Sequence, residues 1–189
     1  MPSKKLYCRK RIIVFGFEGK NNKTEQYYFS HFLPYDDRYI LKRVSCGVTD
    51  PINMVNSIKK KRSDFDYSSR EDLTFLFIDG DCDSKKLDQI ENIKSKLPKD
   101  IIIIVSNPTF ELWFLNHYKS TSRHFLNNEE LLIELRKYIP NYTKNLDVHG
   151  LISHKLNDAV INSKNQFASD GCTSRTEVYK LFAEKILKQ

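Results

Sequence analysis

The sequence predicts an α/β protein, a four-stranded parallel sheet flanked by helices with a helical C-terminal half packed on it. Three observations carry that expectation. Short apolar runs recur along the first half of the chain, helical patterns separate them, and no further run of that kind follows Pro108. The runs cover residues 11–17, 39–44, 73–79 and 101–106. The first, third and fourth are continuously apolar and rich in β-branched or aromatic residues, the pattern of strands covered on both faces.

Each intervening segment carries helical marks. Thr24 is placed to cap a helix bearing Tyr27, Tyr28, Phe32 and Leu33. Asp50 followed by Pro51 reads as a cap and a first helical position, leading into Ile52, Val55 and Ile58. Leu87, Ile90, Ile93 and Leu97 recur at helical spacing until Pro98 stops them. The order β-α-β-α-β-α-β implies parallel strands joined by right-handed crossovers. Beyond Pro108, helical periodicity runs over residues 110–118, 128–138, 148–163 and 174–187. The expected division is an α/β core over residues 1–118 and a helical extension over 119–189, packed as one structural unit.

The chain of 189 residues, 40% hydrophobic and 12% aromatic, can bury a sizeable core. Its 31 lysines and arginines against 24 acids leave a net charge of +7, which favours a polyanionic partner. Many basic proteins bind no nucleic acid, so charge alone decides little. Cys8, Cys46, Cys82 and Cys172 are scattered without a CxxC pair and read as free thiols of a reducing compartment. The apolar run from Ile12 to Phe15 is too short for a signal core, and nothing approaches the roughly 20 apolar residues of a membrane span. A cytoplasmic protein is expected. The basic run Lys59-Lys60-Lys61-Arg62 reads as a solvated helix end.

Acids fall at the strand ends. Glu18 closes the first run, Asp79 and Asp81 close the third, and Glu111 opens the helix after the fourth. In an open parallel sheet, ligands bind beyond the carboxyl ends of the strands. Side chains alternate in extended chain, so Asp79 and Asp81 can point the same way. Four converging carboxylates would repel unless a cation sat among them, and hard oxygen donors suit Mg²⁺ or Mn²⁺. Taken singly, Asp79-Gly80-Asp81 also fits a strand-ending turn, and Glu111 an acid placed for a helix dipole. The coincidence at successive strand ends favours the metal reading.

Other residues extend that candidate site. Glu25 could reach the crevice as a second-metal ligand or serve as a capping acid, and Asp83 reads as a turn acid. Asn107 could bond a metal water, fix Glu111 or order the loop before Pro108. Lys144 and Lys164 are candidates for neutralising phosphate in a transition state. Phe110, Trp113 and Phe114 are spaced as core rather than as a base-stacking platform. His117 and His154 read as packing or surface histidines. Ser106 and Thr109 lack a histidine at usable spacing for a serine hydrolase, and no GK[ST] follows Gly16 or Gly19, which excludes a P-loop.

Several of these segments together resemble a known family. Glu18-Gly19, then Lys23-Thr24-Glu25 with Tyr28-Phe29, resembles the EGxxTE..YF opening of the RloB-like proteins. Asp79-Gly80-Asp81 matches their acidic strand end, and the segment from Ser106 to Trp113 resembles their SNPxFELW signature. Tyr142 with Lys144, and the stretch from Asn162 to Lys164, resemble their later helical blocks. Lys20-Asn21-Asn22 makes the first loop longer than the usual form. The resemblance runs from Arg11 to Leu187. It implies a Toprim-like fold, related to the nuclease domains of OLD-family proteins and to Toprim effectors of phage defence. It also implies that Glu18 and the Asp79–Asp81 pair hold divalent metal at a phosphodiester, and that an AAA- or ABC-type ATPase is a partner.

The function expected is therefore a Mg²⁺-dependent nuclease, with RNA or tRNA favoured over DNA, acting as effector of an anti-phage abortive-infection system. Asp79, Asp81 and Glu111 would ligate metal, and Glu18 would be a ligand or the general base. The alternative is a non-catalytic Toprim regulatory module that binds an ATPase or nucleic acid. A third reading, nucleotidyl or phosphoryl transfer as in primases, lacks a nucleotide-gripping glycine loop.

Overall fold

The computed structural model describes residues 9–19, 23–32, 39–168 and 173–183. Strand β1 spans Arg11–Phe17 and helix α1 Lys23–Ser30, followed by β2 at Tyr39–Ser45, α2 at Pro51–Arg62 and β3 at Leu73–Asp79. Helix α3 covers Ser84–Lys94, β4 Ile101–Asn107 and α4 Glu111–Asn116. The second half holds α5 at Asn128–Arg136, α6 at His149–Ile152, α7 at Leu156–Ala168, β5 at Arg175–Thr176 and α8 at Tyr179–Ala183. Cys8, Cys172, Leu33, the loop Lys20-Asn21-Asn22 and the end of the last expected helix lie outside the described residues.

The sheet order is β2-β1-β3-β4-β5, with the first four strands parallel as expected. Successive residues of a strand point to opposite faces, and both faces are covered. Ile13, Phe15 and Phe17 of β1, with Phe75 and Phe77 of β3, pack under α1, α4 and the later helices. Ile12 and Val14, with Leu76 and Ile78, pack under Met54, Val55 and Ile58 of α2 and Ile90 of α3. That two-sided burial is why these runs are apolar without alternation.

Local chemistry sets the helix starts. The Asp50 carboxylate accepts the Asn53 N–H and Pro51 opens α2. Asp83 accepts the Lys85 and Lys86 N–H groups and so caps α3, which is its structural role. Helix α7 docks on α4 through Asn116, which exchanges two amide hydrogen bonds of 2.9 Å with Gln166. Asn116 also donates to Ser163 at 2.8 Å, so a fully buried amide is satisfied by one helix face.

The structure adds a strand where helix was expected. Arg175–Thr176 pairs antiparallel with Ser106 and Asn107, and two residues are too few to show alternation in a sequence. The helix expected from residue 174 starts only at Tyr179. Glu177 fastens this edge: its carboxylate accepts the Val105 N–H at 2.9 Å and pairs with Lys94 at 3.0 Å and Lys180 at 2.6 Å.

The basic run at the end of α2 is only partly a solvated face. Lys61 donates to the Ser45 carbonyl at 2.5 Å, and Arg62 pairs with buried Asp100 at 2.7 Å at the amino end of the sheet. Arg62→Met would leave the Asp100 charge buried without its cation. It is expected to cost about 3–5 kcal/mol, the usual effect of breaking a buried pair, read as a lower urea midpoint.

Candidate functional site

The acids gather where the topology reverses. β1 leads to β2 on one side and β3 leads to β4 on the other, so the crevice beyond the ends of β1 and β3 is the switch point at which open α/β sheets bind ligands. Glu18 follows β1 directly, Asp79 ends β3, and Glu111 opens α4. Glu18 bridges the strands, accepting the Asp79 N–H through Oε2 at 3.1 Å.

Asp79 is the centre of the group. Its Oδ1 accepts the Phe110 N–H at 2.9 Å, tethering the start of α4. Burial, and then the charges of Glu25, Glu111, Glu18 and Asp81, push its carboxyl well above the ordinary range. All four acids named from the sequence beside Asp79 thus act on it. Glu25 is itself buried on α1. Glu18 is also raised, by burial first, although Lys86 and the Asp79 N–H oppose the shift.

Asp81 differs from the extended geometry expected of it. Asp81 and Cys82 both adopt left-handed backbone, with φ of 54° and 57°, so Asp81 is turned by a bend after the strand rather than by alternation along it. Consecutive non-glycine residues in this region are uncommon and are held by their surroundings. Here the Gly80 N–H donates to the Ser106 carbonyl and the Asp81 N–H to that of Pro108, each at 2.8 Å. The result is an Asp81 side chain half exposed, at 51%, next to an Asp79 of intermediate burial.

Asn107 is the brace of that bend. Its Oδ1 accepts the Cys82 N–H and its Nδ2 donates to the Thr173 carbonyl, both at 2.9 Å. Gly80 makes this possible, since a Cβ there would lie 2.6 Å from Asn107 Oδ1. The structure therefore gives Asn107 the loop-ordering position among those open to it.

Glu111 is held from two directions. The Thr109 hydroxyl donates to its Oε2 at 2.7 Å and the Tyr142 hydroxyl to its Oε1 at 3.1 Å. Burial, and next the Glu111 charge, raise the Tyr142 hydroxyl far above its usual range. Tyr142 brings the extension to the crevice. Two residues on, the Lys144 carbonyl accepts from Thr24 Oγ1 at 3.1 Å, so exposed Lys144 follows a segment that borders Glu25 and Glu111. Lys164 is exposed on α7, whose inner face meets Asn116 at the other end of α4 from Glu111.

Lys86 is the residue that sequence reasoning passed over. Its ammonium lies 2.6 Å from Asp81 Oδ2 and 3.2 Å from Glu18 Oε1. Burial opposes its charge, but the Asp81 hydrogen bond and the Glu18 attraction more than offset that and raise its pKa. A signal was present: lysines in a first helical turn sit badly with the helix dipole unless anions lie nearby.

The donor set suits a hard divalent cation, being four carboxylates around the Asp79 carboxyl, which lacks a full counter-charge. Among the described residues, no three histidine, cysteine or carboxylate side chains already stand together as ligands. Hydrogen bonds from Lys86, Thr109, Tyr142 and the Phe110 N–H engage oxygens of Asp81, Glu111 and Asp79.

The aromatic residues of this region are core. Phe110, Trp113 and Phe114 are no more than 2% exposed. His117 packs among them, its Nδ1 2.8 Å from the Trp113 carbonyl and its pKa pushed down by burial to about 4. His154 lines a hollow with His31, His149 and Ser153. No helix among the described residues is long and apolar enough to cross a membrane.

Neither the curated proteins nor the solved structures give a match to this chain. A family model described as RloB-like protein matches residues 12–184, from the first strand to the last helix. The match takes in every acid of the crevice, Lys86, and the tyrosine that ties the extension to Glu111, and by it the chain belongs to the RloB-like protein family.

Proposed function

We propose that this protein is a Mg²⁺-dependent nuclease that hydrolyses phosphodiester bonds, its site built on a Toprim-like sheet. The observation that carries the reading is Asp79 at the switch point, with Glu18, Glu25, Asp81 and Glu111 all acting on it. A cation among these acids relieves repulsion that the protein alone leaves standing.

In this reading Asp79, Asp81 and Glu111 hold Mg²⁺ or Mn²⁺, with Glu25 beside them. Bound there, the cation supplies Lewis-acid stabilisation of phosphate charge and acidifies water. Glu18 is a ligand or the general base. Thr109 and Tyr142 aim Glu111, and Asn107 holds the bend that presents Asp81. Lys144 borders the crevice and meets phosphate from the solvent side; Lys164 on α7 is a more distant contact for the polyanion. The net charge of +7 suits such a substrate.

RNA, including tRNA, is favoured over DNA by likeness to small Toprim effectors of phage defence. The same likeness supports a role in abortive infection in the cytoplasm, with an AAA- or ABC-type ATPase as partner. A non-catalytic regulatory module is the second reading, favoured by the Lys86 ammonium, which pairs with two of the acids.

The test is incubation of the purified protein with tRNA, single-stranded RNA and duplex DNA in Mg²⁺, Mn²⁺ or EDTA. Fragments of RNA are expected with either metal and none in EDTA. Nucleic acid bound but uncut in every condition would replace the nuclease with the regulatory module.

A further inference from the structure

We infer that Lys86 holds the cation's place in the metal-free protein and, when a divalent ion displaces it, turns to the phosphate of the substrate. The inference rests on the nuclease reading and assigns a residue that the acids alone do not.

The geometry leaves one position for two cations. Lys86 Nζ sits between Asp81 Oδ2 at 2.6 Å and Glu18 Oε1 at 3.2 Å. These oxygens lie just past the ends of β3 and β1, and a divalent ion held by Asp79 and Asp81 with Glu18 as ligand or base would need the same space. An ammonium and a divalent cation cannot both occupy that gap, because like charges a few ångströms apart repel strongly with little water between them. The Lys86 side chain is 14% exposed, which limits water there.

The competition is unequal. One ammonium offsets a single charge, while the two carboxylates it bridges, Asp81 and Glu18, carry two. A divalent ion offsets two and suits carboxylate oxygens better. What moves is the side chain alone, because Asp83 fixes the Lys86 N–H at the start of α3. A hollow of about 310 Å³, lined in part by Thr49, Lys85, Lys86 and Gln89, lies beside it and gives the four-carbon stem room. A displaced ammonium on that stem stays next to the ion and so next to any phosphate bound to it. Lysine suits this because its charge is a compact point on a flexible chain.

The experiment measures Mn²⁺ binding to the full chain by calorimetry, for wild type, Lys86→Met and Lys86→Arg, without nucleic acid. Loss of the competing cation is expected to tighten Mn²⁺ binding to Lys86→Met by about tenfold, or about 1.4 kcal/mol. Lys86→Arg keeps the competitor and is expected to bind like wild type. With Mn²⁺ saturating, Lys86→Met should bind a non-cleavable phosphorothioate RNA more weakly than wild type, and its KM should rise. Equal or weaker Mn²⁺ binding by Lys86→Met, with wild type binding normally, would overturn the role of Lys86 and leave the nuclease reading standing. Tenfold tighter binding by Lys86→Arg would overturn it as well, even if the Met variant failed to fold. Absence of Mn²⁺ binding in all three proteins would sink the metal site itself.

Discussion

Asp79→Asn is expected to lower metal-dependent cleavage by about a hundredfold or more, beyond the 10- to 100-fold typical of losing an outer partner of a metal ligand. The fold should survive, because the carboxamide keeps an oxygen for the Phe110 N–H now bound at 2.9 Å. The effect on stability has a sign that depends on pH. Burial and four acid neighbours raise the Asp79 carboxyl, so the folded protein binds that proton more tightly than the unfolded chain does. Stability from this proton is complete below about pH 4, where the unfolded carboxyl also holds it, and drains away as pH rises through the raised folded value. Asparagine has no proton to lose. In EDTA the variant should therefore gain on wild type as pH rises above about 4, and saturating Mn²⁺ should reverse the order by stabilising wild type alone. Thermal melts across that range measure both effects; parallel curves for the two proteins would remove Asp79 from the centre of the site.

Trp113→Ala is expected to cost about 3–5 kcal/mol, the usual effect of truncating a fully buried tryptophan. That is a large fraction of the 5–15 kcal/mol that typically holds a domain together. Trp113 is 0% exposed, stacks on Phe182 at 5.4 Å and meets His117 edge-on at 5.0 Å. It joins α4 to α8 and so ties the end of the signature segment to the last described helix. Urea denaturation gives the loss directly. A second readout comes from His117, whose imidazole burial holds at about 4. The cavity should admit water and let that value climb toward 6.5, which proton NMR titration would follow. A loss under 1 kcal/mol would mean that the indole is not the packing element described.

The acids were legible because topology alone brings strand ends together. Glu18, Asp79 and Glu111 follow from four apolar runs and the rule that ligands sit beyond their carboxyl ends. Asp81 was legible in position but not in conformation. Its left-handed bend depends on Asn107, Gly80 and Pro108 across the sheet, and no local pattern announces that. Tyr142 came to Glu111 from 31 residues away, and tertiary packing places it there. Lys86 was hidden by the habit of reading surface lysines as solvated, although its place in a first helical turn ran against the dipole. The strand β5 escaped because two residues carry no period.

That short strand bears on when the protein can act during its own synthesis. Thr176 reaches Ser106 over 70 residues of chain, and Thr173 fastens Asn107, the brace of the Asp81 bend. At 5–20 residues per second, the ribosome needs roughly 4–14 s to make that stretch after β4 is complete. Through that interval a nascent chain holds the acids on β1 and β3 but lacks the carbonyl that orients Asn107. The bend that presents Asp81 is thus left unbraced on the ribosome until Thr173 is made, and a message broken before the Thr173 codon yields a chain with its strand ends built and its bend unbraced.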